Sequence, residues 1–378
     1  MGYPSGGGIY GDLGVRKVIN ARGHLTVLGG SILSPKVTEA MMEANRSYVE
    51  MDELQVASGR IVAEITGAEA GHVTSGACAA LALGTAACMT GGDFEKIERL
   101  PDTSGMKNEI IIQKGLRVKY DRCLTVPGAK LIEVGDESGA TSEQIEAAIG
   151  PKTAAIHYLA PGMGAGVVTL EEIIRIAKRH GVPVIMDAAA QVYPVENLRK
   201  YVAMGADLVC YGGKYFHAPN STGILCGRKD LVEAAALQDF IGFEVKGIRA
   251  FGRPMKLDRQ EIIAVVVALR EWVAMDHQAR FEGYDRKVSY LMRELKGISD
   301  VELIPMPEEA GLATGLHITL DEKSLGKTAL EVAKALRDGD PRIWVRCQAD
   351  TIAVWAGTLV DGDEQIIAER LKSLLTGA

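Results

Sequence analysis

Short apolar segments alternate with helix-forming segments between about residues 50 and 240 of this 378-residue chain. Such alternation is typical of a mostly parallel β-sheet whose crossover connections place helices on both faces. Thr141 and Thr169 each begin a capping-box sequence and so mark helix starts between strands. We therefore predict an α/β fold with a three-layer αβα large domain. The predicted strands are Glu109–Gln113, Lys130–Val134, Ala154–Leu159, Val182–Met186, Asp207–Tyr211 and Gly223–Cys226.

The chain is long enough for more than one hydrophobic core, and its pattern changes near residue 257. A long helical stretch, Arg259–Leu295, is interrupted near Glu282–Tyr284 and is followed by strands mixed with helices. That mixture is typical of an α+β domain. We predict an N-terminal arm at 1–50, a large domain at 51–256 and a smaller C-terminal α+β domain at 257–378.

Composition argues against several classes of protein. Hydrophobic residues make up 47% and charged residues 24%, as in soluble globular proteins, and no apolar run reaches the roughly 20 residues of a bilayer span. The net charge of −7 argues against a nucleic-acid-binding surface. The N-terminus lacks the pattern of a secretory signal, so we expect a cytoplasmic protein. The six cysteines and seven histidines lack metal-ligand spacing, so we predict no metal.

Lys214 follows the predicted strand Asp207–Tyr211 and a Gly212-Gly213 pair that leaves its amine unobstructed. The residues on both sides are mostly apolar or aromatic, and desolvation lowers the pKa of a lysine, which favours Schiff-base formation. Asp187 ends another predicted strand, so both side chains are expected to face one crevice. Pyridoxal phosphate (PLP) requires such a lysine and a carboxylate at its ring nitrogen.

Each of these residues also has an ordinary interpretation. A lone lysine is usually a surface charge, and an acid at a strand end commonly caps the next turn.

Two residues after Asp187 are predicted to contact the cofactor. Ala189 would leave room for a flat ring beside Asp187, and Gln191 would reach the ring hydroxyl.

A phosphate-binding turn is predicted where small residues precede a helix. Ser75, Gly76 and Ala77 precede the apolar run that ends at Cys88, and a helix N-terminus offers N–H donors and a positive dipole end. The ordinary alternative is a simple helix cap. Arg346 lies in a predicted apolar strand, Ile343–Cys347, where an unpaired charge is expensive, so we expect an acidic partner or a bound carboxylate.

A glycine-rich segment supports a rival hypothesis. Gly162–Gly166 follows a predicted strand and precedes a helix, as a dinucleotide-binding fingerprint does. Val167 stands where the third glycine belongs, and the helix start at Thr169 leaves a wide loop instead of a tight turn. A nicotinamide-dependent oxidoreductase is therefore the alternative of a different class.

Several sequence blocks resemble the selenocysteine-synthase-like family of fold type I PLP-dependent enzymes. Within that family they are most similar to the D-glucosaminate-6-phosphate ammonia-lyase group. The resemblance covers most of the chain, including Pro341–Arg346 and Gly357–Leu359. The other blocks are Val18–Gly23, Val49–Leu54, Ile65–Ala70, Thr74–Ala77, Tyr211–Lys214 and Gly223–Leu225.

The resemblance implies a homodimer or higher homo-oligomer that binds PLP. Residue by residue, it implies a Schiff base at Lys214, ring-nitrogen pairing by Asp187, phosphate binding by Ser75, Gly76 and Ala77, and substrate binding by Arg346 and Arg22. The family's tRNA-binding domain is not expected, because its Asn-Ala segment already stands at residue 20. Lys114–Arg117 stands where relatives commonly place a ring-stacking histidine or aromatic residue.

The expected function is that of a PLP-dependent lyase. Its substrate would be a small anionic, hydroxylated amino acid or amino sugar acid, similar to D-glucosaminate 6-phosphate, and its products a 2-keto acid and ammonia. The same lysine, aspartate and phosphate turn also serve racemases, aldolases, β-replacement transferases and aminotransferases, and the sequence leaves these alternatives open.

Overall fold

A computed structural model of the chain describes residues 8–307 and 311–377. Residues 1–7 of the predicted N-terminal arm lie outside the described residues. The strands are β1 (Val18–Asn20), β2 (Ala70–Thr74), β3 (Glu109–Gln113), β4 (Lys130–Val134), β5 (Thr153–Leu159), β6 (Val184–Asp187), β7 (Leu208–Gly212), β8 (Gly223–Gly227), β9 (Val301–Pro307), β10 (Ala313–Leu320), β11 (Arg342–Trp344), β12 (Arg346–Gln348) and β13 (Thr351–Trp355). The helices are α1 (Ile9–Asp12), α2 (Pro35–Ala44), α3 (Met51–Thr66), α4 (Ala77–Thr90), α5 (Phe94–Arg99), α6 (Arg122–Thr125), α7 (Ser142–Ala148), α8 (Leu170–His180), α9 (Asn197–Met204), α10 (Lys229–Gln238), α11 (Phe240–Lys246), α12 (Arg259–Ala274), α13 (His277–Leu295), α14 (Glu322–Leu325), α15 (Ala329–Asp338) and α16 (Asp363–Thr376).

The chain divides into two compact units. The larger unit is Leu33–Ala274, and the smaller unit combines the described residues of Met1–Ile32 and Met275–Ala378. This division differs from the predicted boundaries at residues 50 and 256. Helix α12 packs against α2 and α3 and so belongs to the larger unit, whereas β1 pairs with β11 and so belongs to the smaller one.

One sheet organises the larger unit. Seven strands of its described residues lie in the order β2-β8-β7-β6-β5-β3-β4. The pairs from β7 to β4 are parallel, whereas β8 is antiparallel to both β7 and β2, so β8 alone runs against the others in this sheet. The mostly parallel sheet predicted from the sequence is confirmed.

Helices cover both faces of this sheet. Helix α4 packs across β5 to β8 and shares a buried cluster with Ala70, Ile185 and Leu225. Helix α3 lies against the opposite face, where a Cβ on Gly59 would come within 2.2 Å of the Gly71 carbonyl oxygen. Ala70 and Gly71 face different helices because successive strand residues point to opposite faces. The three-layer αβα architecture is therefore confirmed.

Three strand ends meet at one edge of the sheet. Strands β2, β6 and β7 run in the same direction, so their carboxyl ends, Thr74, Asp187 and Gly212, lie at that edge. Gly223 begins β8 there and pairs with both Thr74 and Gly212. The Gly212 N–H donates to the Ala189 carbonyl oxygen at 2.9 Å, which ties the segment after β6 to the end of β7.

The smaller unit contains an antiparallel sheet in the order β12-β13-β10-β9 and a separate parallel pair of β1 and β11. Residues of α13, α15 and α16, including Leu291, Val332 and Leu371, pack in one buried cluster with these strands. The mixture of helices and strands is the predicted α+β arrangement. The strand predicted from Ile343 to Cys347 is instead two strands, β11 and β12, which join different sheets.

The long C-terminal helical stretch breaks at a different place from the predicted one. Glu282–Tyr284 lies inside α13, and the break falls at Met275–Asp276. The Asp276 carboxylate accepts a hydrogen bond from the Ala279 N–H at 2.9 Å and caps α13. A single glycine such as Gly283 costs a helix only about 1 kcal/mol relative to alanine, which does not end it.

No helix among residues 8–307 and 311–377 combines the length and apolarity needed to cross a bilayer. Within the same residues, the structure gathers no group of three or more side chains that would suit a metal ion. All six cysteines are free thiols.

Candidate active site

The predicted phosphate turn connects β2 to α4. Gly76 is the N-cap residue of α4, and its φ of +93° lies in a region that favours glycine. No side chain caps this helix, so the first N–H groups of α4, beginning at Ala77, are available to an external acceptor. Ser75 is half-buried beside them. The turn therefore offers uncapped N–H donors that an anion can bind.

Close packing holds this turn in place. A Cβ on Gly223 would lie 2.6 Å from both the Ala77 nitrogen and the Gly76 carbonyl carbon. Only glycine at this position lets β8 approach the backbone of the turn so closely. The sequence of β8 therefore helps to fix the N–H groups of α4.

Asp187 ends β6 as a buried carboxylate with only 6% of its surface exposed. Its Oδ1 accepts a hydrogen bond from the Ala189 N–H at 3.0 Å, and the Cys210 thiol donates to the same oxygen at 3.8 Å. A buried charge is costly without such partners. The expected turn-capping interaction is thus present, but it uses only one of the two carboxylate oxygens that Asp187 offers.

His157 lies beside Asp187 and was not singled out from the sequence. It pairs with Ile185 across β5 and β6, which places its ring on the same face of the sheet as Asp187. The ring is buried, and its Nδ1 has no hydrogen-bond partner. Burial lowers the pKa of His157, and the charge of Asp187 partly opposes this effect. The only sequence signal was a histidine within an apolar strand.

Lys214 lies in a single 3₁₀ turn, Gly213–Phe216, immediately after β7. Burial lowers the pKa of its amine, because desolvation disfavours the charged form. Its Nζ lies 5.2 Å from the centroid of the Tyr215 ring. A Cβ on Gly213 would come within 2.2 Å of the Thr222 hydroxyl, so glycine is required for this close approach. The partly desolvated lysine predicted from the sequence is confirmed as a structural feature.

The strand ends and the phosphate turn bring these residues together. Asp187 ends β6, and Lys214 follows the end of the neighbouring strand β7. Gly223, which pairs with the end of β7, lies against the backbone of the phosphate turn. The N-terminus of α4, Asp187 and Lys214 therefore lie at one edge of the sheet, and we call Ser75–Ala77, Asp187 and Lys214 the strand-end site.

Ala189 and Gln191 follow Asp187 at the border of this site. Both are half-buried, and the Gln191 N–H donates to the Ala188 carbonyl oxygen at 2.8 Å, which makes a tight turn after β6. The turn places a small side chain and an amide next to Asp187 along the chain. Their predicted contacts with a ring and its hydroxyl remain predictions.

Comparison with known proteins identifies the family. The family model described as aminotransferase class-V matches residues 125–336, more than half of the chain. The chain belongs to the aminotransferase class-V family. Its architecture is that of the fold type I PLP-dependent enzymes, as predicted.

Several known proteins are similar to this chain over nearly its whole length. D-glucosaminate-6-phosphate ammonia lyase of Salmonella typhimurium is 32% identical over 97% of each chain. 5'-C-glycyluridine monooxygenase-decarboxylase of a Streptomyces species is 33% identical over 97% of this chain and 92% of the relative. L-seryl-tRNA(Sec) selenium transferase of Moorella thermoacetica is 26% identical over 97% of this chain and 83% of the relative. The resemblance seen in the sequence blocks is confirmed.

A solved structure of D-glucosaminate-6-phosphate ammonia-lyase superposes with a TM-score of 0.87. It is 31% identical in sequence, and the superposition covers 99% of each chain. Both the sequence and the fold are therefore similar to this enzyme from end to end.

The hydrogen-bond donors, the carboxylate and the amine of the strand-end site fit the three reactive parts of PLP, the cofactor of this family. The uncapped N–H groups of α4 suit a phosphate, the buried carboxylate of Asp187 suits a protonated ring nitrogen, and the desolvated amine of Lys214 suits an aldehyde. The glycine contact at Gly223 holds the turn in the conformation that exposes its N–H groups.

The basic residues of the segment 114–117 have acidic partners. Lys114 pairs with Glu137 at 2.9 Å, and Arg117 pairs with Asp121 and Glu133. Leu116 is buried. This segment contains neither a histidine nor an aromatic side chain, and its two basic groups form ion pairs within the larger unit.

The glycine-rich segment Gly162–Gly166 lies in the loop 160–169 between β5 and α8. A dinucleotide fingerprint requires a tight turn between strand and helix. Here the Gln113 side chain holds the loop through both the N–H and the carbonyl oxygen of Val168, at 2.8 and 3.1 Å. The loop geometry thus argues against the nicotinamide alternative.

Arg22 and Arg346 lie in the smaller unit and contact each other. The Arg346 Nε donates to the Arg22 carbonyl oxygen at 3.2 Å, and the Arg22 guanidinium lies 5.8 Å from the centroid of the Trp344 ring. Arg346 is exposed at the start of β12, so the expectation of a charge within an apolar strand is wrong. Among the described residues, no acidic side chain forms an ion pair with Arg346.

Proposed function

We propose that this protein is a PLP-dependent ammonia-lyase. It would act on a small anionic, hydroxylated amino acid or amino sugar acid, similar to D-glucosaminate 6-phosphate, and would release a 2-keto acid and ammonia. The observation that carries the proposal is the convergence of Lys214, Asp187 and the uncapped end of α4 at one edge of the sheet. The near end-to-end similarity to the ammonia lyase supports it.

Each residue of the strand-end site would have a separate task. Bound PLP supplies an electron-withdrawing ring that weakens the bonds at the substrate Cα. Lys214 would hold the cofactor and, once its amine is released by substrate, would accept and return protons at the substrate carbon. Asp187 would keep the ring nitrogen protonated, and Ser75, Gly76 and Ala77 would hold the phosphate.

The remaining predicted contacts concern orientation. Ala189 would lie against the cofactor ring and Gln191 would bind its hydroxyl. His157 would position the Asp187 carboxylate, because its buried ring lies on the same face of the sheet. Arg346 would bind the substrate carboxylate and Arg22 would be a further substrate contact, since guanidinium groups suit carboxylates. Cytoplasmic location and homo-oligomeric assembly remain predictions.

The reaction is tested by product analysis. The purified protein, supplied with PLP, is incubated with D-glucosaminate 6-phosphate, D-glucosaminate or L-serine, and ammonia and 2-keto acid are measured. We expect equal amounts of both products from at least one hydroxylated substrate, and none from a matched Lys214→Ala preparation. Formation of a 2-keto acid without an equal amount of ammonia would overturn the lyase proposal.

A second candidate reaction follows from the Streptomyces relative, which is named as a monooxygenase-decarboxylase. Its reaction type differs from a lyase in consuming oxygen and releasing carbon dioxide. Measurement of both gases in the same incubations separates the two candidates. Racemisation would instead appear as inverted substrate. Transamination would appear, in a parallel incubation supplied with a 2-keto acid acceptor, as a new amino acid without net ammonia release.

Gly223→Ala is expected to weaken PLP binding by about tenfold or more, which corresponds to about 1.4 kcal/mol. The new Cβ would lie 2.6 Å from backbone atoms of Gly76 and Ala77, so the phosphate turn must shift. Overpacking of this kind also lowers the free energy of unfolding by about 1–3 kcal/mol. Binding is measured by titration of PLP absorbance and stability by urea denaturation.

Gly150→Ala is the matched control for this change, because a Cβ on Gly150 would meet no atom within 4 Å. It should leave the PLP dissociation constant unchanged. An unchanged PLP affinity in folded Gly223→Ala would show that the turn before α4 does not hold the phosphate.

A further inference from the structure

Trp272 contacts both of the segments that carry Asp187 and Lys214. It lies near the end of α12 and is buried, with 2% of its surface exposed. Its indole N–H donates a hydrogen bond to the Val192 carbonyl oxygen at 2.8 Å, in the segment that follows β6. The centroids of its ring and the His217 ring lie 5.2 Å apart in an edge-to-face arrangement, and His217 belongs to the segment that follows β7. One buried side chain therefore bridges the two segments.

The contact with Val192 leads back along the chain to Asp187. Val192 is buried and follows the tight turn in which the Gln191 N–H donates to the Ala188 carbonyl oxygen at 2.8 Å. That turn begins directly after Asp187, whose carboxylate accepts a hydrogen bond from the Ala189 N–H. A buried backbone carbonyl needs a donor, and the indole supplies one. The indole thus holds the far end of the turn that begins at the carboxylate.

The contact with His217 leads to Lys214. His217 ends the 3₁₀ turn that contains Lys214, and its N–H donates to the Lys214 carbonyl oxygen at 3.4 Å. The φ of His217 is +62°, in the left-handed region that residues other than glycine adopt at a cost. Such a conformation persists where its surroundings hold it, and the Trp272 ring is one of the groups that does so.

Backbone hydrogen bonds join the two segments near the strand ends. The Gly212 N–H donates to the Ala189 carbonyl oxygen at 2.9 Å. In the part of the chain that the structure describes, this is the last backbone hydrogen bond between the segment after β6 and the segment after β7. Val192 and Lys214 both lie beyond it. The orientation of one segment relative to the other therefore depends there on side-chain contacts such as those of Trp272.

We propose that Trp272 is a positioning residue that fixes the Lys214 amine relative to the Asp187 carboxylate. This inference rests on the function proposed above, in which the two groups meet opposite ends of one rigid cofactor ring, the aldehyde carbon and the ring nitrogen. Misplacement of a reacting group by about 1 Å costs about 10²-fold in rate. Trp272 acts through Val192 and His217, so its loss changes turnover without removing any group that binds PLP.

The first test measures hydrogen–deuterium exchange of the full chain without PLP. Trp272→Phe keeps a ring but removes the N–H that the Val192 carbonyl oxygen accepts, so exchange should accelerate most in 188–192. His217→Asn removes the ring but keeps a residue that tolerates a positive φ, so exchange should accelerate most in 213–218. Unchanged exchange in both segments, or equal acceleration throughout the larger unit, would show that Trp272 does not bridge them.

The second test compares turnover, the PLP dissociation constant and the visible circular dichroism of bound PLP. Trp272→Phe and His217→Asn should each lower turnover by about tenfold or more and alter the dichroism. The PLP dissociation constant should stay within about twofold of the wild-type value, because the phosphate turn and Lys214 are unchanged.

Ile145→Ala is the matched control for a general loss of stability. Ile145 is fully buried in α7, which packs against α8 and β4, away from β6 and β7. The cavity lowers the urea midpoint, and turnover and dichroism should remain those of the wild type. An equal fall in turnover in Ile145→Ala and Trp272→Phe would overturn the inference. Borohydride trapping on Lys214 is measured on every preparation, and its absence from the wild type would refute the proposed function instead.

Discussion

Lys214→Ala abolishes the borohydride-stable attachment of PLP and lowers turnover by about 10³-fold or more, since the variant loses both the covalent anchor and the proton-transfer group. The physical basis is the desolvation of the amine, which lowers its pKa. At a given pH below the ordinary lysine value of 10.5, a larger fraction of Lys214 is therefore neutral than of an exposed lysine. Only the neutral amine attacks an aldehyde.

The measurement is reduction of the PLP-loaded protein with borohydride, followed by mass spectrometry of its peptides. The adduct should map to Lys214 in the wild type and should be absent in Lys214→Ala. Lys200→Ala is the matched control, because Lys200 is an exposed lysine of the same unit, and it should retain both the adduct and turnover. Lys214→Arg keeps the positive charge without the nucleophile and should behave like the alanine variant. An adduct at another lysine in the wild type would contradict the assignment.

Local sequence signals were sufficient to predict the strand ends that carry Asp187 and Lys214. Each follows a continuous apolar segment, which is how a strand buried on both faces appears in sequence. The direction of the strands followed from the helices between them, and the capping residues Thr141 and Thr169 marked two of those helices correctly. Parallel direction then placed both strand ends at one edge.

Other features depend on pairing between distant segments and could not be predicted. Strand β2 contains Ala70 and Gly71, which have low strand propensity, and is held by its register with β8. The face on which His157 lies is set by the register of β5 with β6, and a shift of one residue would turn its ring away from Asp187.

Arg346 shows the limit of a local argument about charge. The apolar residues before it suggested a buried strand, in which a guanidinium needs a counter-ion. The structure ends β11 at Trp344 and begins β12 at Arg346, so the apolar segment and the arginine belong to different sheets. Exposure removes the desolvation cost and leaves the guanidinium accessible to an anion.

Asp187→Asn should retain PLP on Lys214 but lower turnover by about 10²–10³-fold, the usual cost of removing a preorganised electrostatic group. The amide has the shape of the carboxylate, and its oxygen still accepts the hydrogen bond that the Ala189 N–H donates to Oδ1 at 3.0 Å. The change therefore removes the negative charge while the turn after β6 keeps its hydrogen bond. Borohydride trapping and turnover are measured on the same preparations, with the exposed Asp102→Asn as the control that should change neither.

A cofactor analogue tests whether the charge itself is responsible. PLP methylated at the ring nitrogen carries a permanent positive charge, and Asp187→Ala provides space for the methyl group. The analogue should restore part of the turnover lost in Asp187→Ala and should not improve the wild type, in which the buried carboxylate occupies that space. If Asp187→Asn keeps full turnover, or if the analogue restores none in Asp187→Ala, the carboxylate at the end of β6 does not act on the ring nitrogen. Its burial would then serve only the hydrogen bonds from Ala189 and Cys210.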